Sequence, residues 1–314
     1  MLGLYKFDRF EGFTAADFDA FAKPKWASNR FNLERMRARA VMEALGKDLA
    51  AALGDHVAGL TFRTSLHNPD HFNRHCVRNM WLYLDRTEED KHEMEPYIDR
   101  DTSLKTKVLE STPEQRFAMT GVLLCEQGAS VFLRIHADAV MDRRNLVARL
   151  ADPMEAQQAL ALLSHLPPLI RMSLGDVTPG IPAVVGDVES LRRGLEELSG
   201  WFCLEAFFDR TDPTVSSASF VATATALLPP LVTLWRFAAW SRGNDRLKLT
   251  RVIKEERRHK AKKQAGFSEG DSVQVTSGLL AGKQGTVQGV DNKGRVRVLI
   301  GRVSVDMDPK LLRK

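Results

Sequence analysis

The residues best equipped to do chemistry are cations. Arg242, Arg246, Lys248, Arg251, Lys254, Arg257, Arg258, Lys260, Lys262 and Lys263 crowd the stretch 242–263 against three carboxylates, a balance of +7. Guanidinium and ammonium groups at that density suit phosphate oxygens, and each phosphate they neutralise releases counterions and makes binding salt-dependent. The eight from Lys248 onward are therefore the first candidates for phosphate contacts. Leu247, Leu249, Val252 and Ile253 are interspersed, and Glu256 stands four residues before Lys260, so the spacing predicts a basic helical linker over 242–265, helical to about residue 262. A solubilising linker helix would have the same composition, so the run by itself leaves both readings open.

Two other groups invite chemistry. His67, His71, His75 and Cys76 are all metal-ligating types, and Asp70 lies among them. Four-residue spacing aligns histidines only on a helix, and Asn68-Pro69 argues against one there, so the expectation is a polar loop without metal. His136 and Asp138 follow an apolar run and suit either proton transfer or a strand end reaching solvent. Together these residues define the alternative reading, a nuclease-like enzyme in the first 241 residues that uses the C-terminal end for docking. The acidic stretch with Glu88, Glu89, Asp90, Glu93 and Glu95 reads as a solvated loop or exposed helix. No phosphate-cradling glycine loop, GxSxG nucleophile or zincin pattern occurs, so no catalytic residue, cofactor or metal is assigned.

The elements that would carry these groups form an α+β pattern of strands and helices in mixed order, without βαβ repeats. Helices are predicted near Thr14, over 33–53, within 147–166 and over 188–198. Strands are predicted over 60–66, 77–84, 117–124, 129–135 and 201–208, with Glu126-Gln127-Gly128 turning a hairpin. The stretch 213–235 lacks charge over 23 residues and meets the length of a membrane span, but Pro229-Pro230 and its Thr, Ser and Ala content favour a buried helix pair broken at the prolines. No membrane partner is expected.

The last 48 residues follow a different rule. Val273 and Val275 alternate with polar neighbours, as do Val296, Val298 and Ile300 around Arg297, and then Val303, Val305 and Met307. Asp291-Asn292-Lys293-Gly294 reads as a tight hairpin. Gly278, Gly282 and Gly285 mark bends or close backbone approaches. Four or five short strands in so few residues suggest a small barrel closed on itself.

The run Gly278-Leu279-Leu280-Ala281-Gly282-Lys283-Gln284-Gly285-Thr286-Val287 resembles the KOW motif of NusG-type transcription factors and some ribosomal proteins, and the likeness extends over residues 267–312. Phe267 to Val273 is similar to that family's opening strand, and Ile300-Gly301-Arg302 with Val303 and Val305 to its closing strands. The resemblance implies an SH3-like barrel with Gly278, Ala281, Gly282, Gly285, Val287 and Gly301 as its structural positions. It implies a partner that is RNA or a ribonucleoprotein, the ribosome or RNA polymerase, in transcription or translation, with DNA a further candidate. Lys283, Arg295, Arg297 and Arg302 join the phosphate contacts, and Leu279, Leu280 and Ile300 are candidates for a protein contact. The NusG branch has an aromatic residue where this chain has Ile300. Nothing in 1–241 matches the NusG N-terminal domain, so the chain is not read as a NusG.

The whole-chain balance agrees with this division. The segments 242–263 and 264–314 carry +7 and +3, leaving 27 basic and 32 acidic residues in 1–241, so a mildly acidic body precedes a basic end. The expected domains are an α+β body over 1–241, the linker over 242–265 and the small barrel over 266–314. Three widely spaced cysteines, Cys76, Cys125 and Cys203, suggest no disulfide framework, and the early charges Lys6 and Asp8 argue against a secretory leader. A cytoplasmic, non-enzymatic binding protein is the expectation.

Overall fold

Continuous apolar runs, rather than strict alternation, build the larger sheet, because its central strands bury both faces. The computed structural model describes residues 5–65, 76–101, 113–175, 187–248, 266–278, 280–291, 295–301 and 303–313. The chain divides into two units, Met1–Arg246 and Leu247–Lys314. In the first unit β1 (Thr61–Thr64), β2 (Asn79–Asp85), β3 (Met119–Cys125), β4 (Gly128–His136), β5 (Arg171–Gly175) and β6 (Trp201–Asp209) form one sheet. Its order is β1-β2-β3-β4-β6-β5, and every pair is antiparallel.

Leu82, Leu84, Val122, Leu124, Val131, Leu133, Ile135, Phe202 and Leu204 face the main core of this unit. The helices α2 (Asn32–Leu53) and Ser219–Ala238 contribute Met42, Leu45, Leu49, Leu228, Leu231 and Trp235 to the same core. The opposite faces of β2, β3 and β4 bear a second buried cluster of Trp81, Tyr83, Met119, Leu123 and Phe132. Burial of that layer pushes the Tyr83 hydroxyl up to about 12.

The predicted elements are present in order, with informative differences. Thr14 opens α1 (Ala15–Asp19) with a capping box closed by Asp17. The acidic stretch is α3 (Glu88–Asp101), and Pro113–Arg116 forms a single helical turn, α4. The region 147–166 lies in two helices, α5 (Val140–Leu150) and α6 (Pro153–Ser164). They are separate because the Asp152 carboxylate accepts the N–H groups of Met154 and Glu155 and Pro153 takes the first helical position. The helix expected over 188–198 is α7 (Val188–Glu196). Strand β5 was not anticipated: it is short and at the sheet edge, with exposed and half-buried residues and no buried stripe. The loop 67–75 lies outside the described residues.

The helix pair expected over 213–235 is instead one helix, α8 (Ser219–Ala238), running through Pro229 and Pro230. Each proline removes a helical N–H, at a cost of about 3 kcal/mol in a free helix. Ten buried side chains, from Phe220 to Ala238, outweigh that loss. Length and composition alone would let this helix cross a membrane, but its apolar face is occupied by the body's core.

A buried polar node ties the C-terminal end of α8 to the rest of the unit. Asp142, on α5, accepts from Arg86 Nη2 at 2.7 Å, from the Ala118 N–H at 2.7 Å and from the Trp240 N–H at 2.8 Å. Arg86 Nη1 also donates to the Trp240 carbonyl at 2.5 Å, and its guanidinium lies 5.6 and 5.5 Å from the rings of Phe117 and Trp235. One turn on, Asn145 donates to the Ala238 carbonyl and accepts from the Arg246 N–H. Asn244 and Arg149 satisfy the last carbonyls of α8. Replacing Asp142 with Ala leaves Arg86 charged and unpaired in the interior. We expect a loss of about 3–5 kcal/mol in denaturant unfolding, and a loss below about 1 kcal/mol would refute this role.

Candidate nucleic-acid interface

The C-terminal unit is a five-stranded antiparallel sheet in the order β10-β9-β8-β7-β11. Its strands are β7 (Ser272–Val275), β8 (Gln284–Val290), β9 (Val296–Ile300), β10 (Val303–Met307) and β11 (Leu312–Arg313). Val273, Val275, Val287, Val290, Val296, Val298 and Leu312 form its core, with Phe267, Leu280, Ile300 and Met307 packed against them. Two of the three residues proposed for protein contact, Leu280 and Ile300, are thus half-buried against this core, and Leu279 lies outside the described residues. The alternation expected for β10 is only partly realised, since Val303 is 62% exposed at the sheet edge.

Two glycines show why the loop has its sequence. Gly282 adopts φ +79° and donates to the Val275 carbonyl at 2.8 Å, closing the turn between β7 and β8. Gly285 has no room for a side chain: a Cβ there would sit 2.6 Å from Val298 Cγ1 and 2.7 Å from the Leu299 carbonyl. The register of β8 then shifts between Val287 and Gly289, a bulge that turns Val290 inward with Val287. Strict alternation in the sequence cannot reveal such a strand. The hairpin tip 292–294 is not among the described residues, but its flanks bond across it, Asp291 N to the Arg295 carbonyl at 2.9 Å.

The charges of this unit are divided by what the carboxylates do. Asp308 and Asp291 accept the N–H groups of Lys310 and Arg295, and Asp271 that of Ser268. Asp306 faces Arg297 across the strand pair and takes two bonds from it, at 2.7 and 3.0 Å. These bonds hold the Asp306 carboxyl below its ordinary range and raise Arg297. Arg297, expected to be free for phosphate, therefore already has an anionic partner. Lys283 and Arg295 are exposed, with no ion pair among the described residues. The same holds for Lys310 and Arg313, which sequence reasoning missed. The 3-10 turn Pro309–Leu311 carries Lys310, and strand β11 sets Arg313 opposite Gln274, which stands opposite Gln284. A two-residue strand has no period to read. Arg302 is outside the described residues.

The basic run differs from its expectation where it is described. Arg242–Asn244 is a 3-10 turn and Lys248, exposed, takes φ +53°, so no α-helix spans 242–248. Arg242 is paired with Glu93 and Arg246 with Glu155, both on the body, which holds this stretch to the first unit rather than in a continuing helix. Arg251, Lys254, Arg257, Arg258, Lys260, Lys262 and Lys263 lie outside the described residues.

The alternative catalytic group is only partly visible. His136 Nδ1 accepts from the Asp138 N–H at 3.1 Å and lies 3.4 Å from its carboxylate, with the ring 4.7 Å from that of Trp201. Burial pushes the imidazole down, partly offset by the Asp138 charge. The neighbouring Cys203 thiol is pushed up to about 12 by burial, which leaves it protonated and a poor nucleophile. Among the described residues no cluster of three or more His, Cys, Asp or Glu side chains could hold a metal.

Comparison with known proteins agrees with the C-terminal reading. The KOW motif family matches residues 269–306, and the rest of the chain is assigned to no family. A KOW motif is typical of RNA- and ribosome-associated proteins. Comparison with curated proteins returned no match. Among solved structures, a biotin protein ligase-like protein of unknown function from Silicibacter sp. TM1040 aligns at 13% identity over 61% of this chain and 83% of that one. Its TM-score of 0.14 carries no argument.

Two outcomes follow from this geometry. Arg297→Ala should return the Asp306 carboxyl toward its ordinary pKa in an NMR titration, and an unmoved titration would mean the ion pair is not formed in solution. Gly285→Val should abolish the dispersed amide signals of the C-terminal sheet, because Val298, Ile300 and the Leu299 carbonyl of β9 crowd the site.

Proposed function

We propose that this protein is a non-enzymatic factor that binds RNA or a ribonucleoprotein, the ribosome or RNA polymerase, through its C-terminal unit and the basic run before it. The observation that carries this is the KOW motif at 269–306, within a unit where Asp271, Asp291 and Asp308 cap turns and Asp306 pairs with Arg297, while Lys283, Arg295, Lys310 and Arg313 form no ion pair among the described residues. Phosphate oxygens suit such cations, and the eight candidates from Lys248 to Lys263 extend the same surface chemistry along the chain. We read the five strands as an SH3-like barrel, the basic segment as a separate linker and the protein as cytoplasmic. The missing NusG N-terminal pattern argues against an elongation or antitermination role.

The test is fluorescence anisotropy of the full chain with a single-stranded RNA over a salt series. Each phosphate contact contributes roughly 0.7 to the log–log salt slope on a single strand. Replacing Arg257, Arg258, Lys260, Lys262 and Lys263 together with Ala should therefore flatten the slope by several such increments, and Lys283→Ala with Arg313→Ala by one or two. Unchanged binding in the first variant would remove the basic run from the interface. Salt-independent binding by the unaltered chain would remove phosphate recognition altogether.

A further inference from the structure

The first strand of the body lies at the sheet edge beside a cleft that nothing above uses. Among the described residues strand β1 pairs only with β2, in the register Thr61 to Asp85, Phe62 to Leu84, Arg63 to Tyr83 and Thr64 to Leu82. The next residue, Ser65, donates its N–H to the Trp81 carbonyl at 2.9 Å. In an antiparallel ladder alternate residues bond across, so Ser65, Arg63 and Thr61 turn their backbone groups toward β2. Those of Phe62 and Thr64 point away from it. They are the donors and acceptors that an added strand would take.

A cleft of about 540 Å³ runs along this edge between β1 and α2. Its apolar part comes from Phe62, Leu82, Gly46 and Ala50. Gly46 packs tightly, since a Cβ there would stand 3.0 Å from Leu82 Cδ1 and 3.3 Å from Phe62 Cβ. Arg39, Lys47 and Arg63 supply cations and Glu43 the one carboxylate of the lining. Arg39 pairs with Glu43 at 2.8 Å, and Arg63 with Asp85 at 2.8 Å and Glu88 at 3.2 Å. Lys47 is exposed and forms no ion pair among the described residues.

We propose that this edge binds an extended acidic peptide of a partner protein, added antiparallel or parallel to β1. Its backbone bonds to Phe62 and Thr64, an apolar side chain enters the cleft, and a carboxylate meets Lys47. A short strand bearing Arg63 would by itself serve to discourage edge pairing, but that purpose does not call for a cleft of this size with an apolar floor. Charge decides the occupant. Arg39 and Arg63 are already paired, so the charge left to the lining is Lys47: a second copy would set two such lysines face to face, whereas an acidic segment supplies the missing carboxylate.

The probe is a fluorescein-labelled peptide alternating Val or Ile with Asp or Glu over eight residues, titrated against the full chain by anisotropy. Micromolar binding is expected, weakened at least tenfold by Lys47→Glu and absent for the same peptide with Lys in place of Asp and Glu. Thr64→Pro, which removes an outward N–H and no ladder bond, should abolish it, and far-UV circular dichroism checks that each variant keeps its fold. Lys47→Ala serves as the milder substitution should Thr64→Pro unfold. The proposal is overturned by equal affinity of the charge-inverted peptide, by unchanged binding to folded Lys47→Glu, or by no binding at millimolar protein. It is overturned equally if a single-stranded oligonucleotide displaces the peptide, or if sedimentation shows the chain self-associating through this edge.

Discussion

A carboxylate with no exposure to solvent, Asp142, decides how the body of this protein is put together. An ion in an apolar interior is costly unless its charge and lone pairs are all met. Here the Arg86 guanidinium meets the charge, and the Ala118 and Trp240 N–H groups fill the remaining acceptor positions. Those donors come from the end of β2, the start of β3 and the chain just beyond α8. Three sequence-distant segments are thereby bound to one helix, α5. Hydrophobic burial alone would hold these elements together, but it is non-directional, and the carboxylate gives the junction its geometry.

The consequence reaches the point at which the chain leaves the body. Asn145, Arg149 and Asn244 close off the carbonyls at the end of α8, and Arg242 and Arg246 are ion-paired to Glu93 and Glu155. The first cations of the basic run therefore belong to the anchoring of the body, which sets them apart from the phosphate contacts proposed from Lys248 onward. Charge counting treats all ten as equivalent. Their surroundings do not, since an arginine held by a carboxylate offers a phosphate only what remains after that pair is broken or shared.

The same distinction runs through the C-terminal unit. Arg295 and Arg297 both point outward from the sheet face, as period two requires. Asp306 takes the second and leaves the first, because the β9–β10 register puts residues 297 and 306 opposite each other. Likewise Arg313 joins the sheet only because β11 returns beside β7. Affinity for a polyanion depends on such pairing as much as on net charge.

Local pattern in the sequence was sufficient for most elements: α2 from its apolar stripe, the β3–β4 hairpin from Glu126 to Gly128, and the KOW motif from glycines whose φ values and close contacts leave few alternatives. Gly285 is the clearest case, since only a residue without Cβ fits against Val298, and the sequence therefore carries that contact as a missing side chain. What local pattern could not carry was decided by burial and register. Pro229 and Pro230 read as a break but lie within one helix, because ten buried side chains outweigh two lost hydrogen bonds. Strand β8 hides its period behind a bulge, β5 and β11 are too short to have one, and the partners of Asp142 are up to 98 residues away. Sequence by itself determined which segments are amphipathic and where the backbone must turn, since those depend on near neighbours. Only tertiary structure decided which charges are paired and which strands stand at the sheet edges, since both depend on partners brought together by packing.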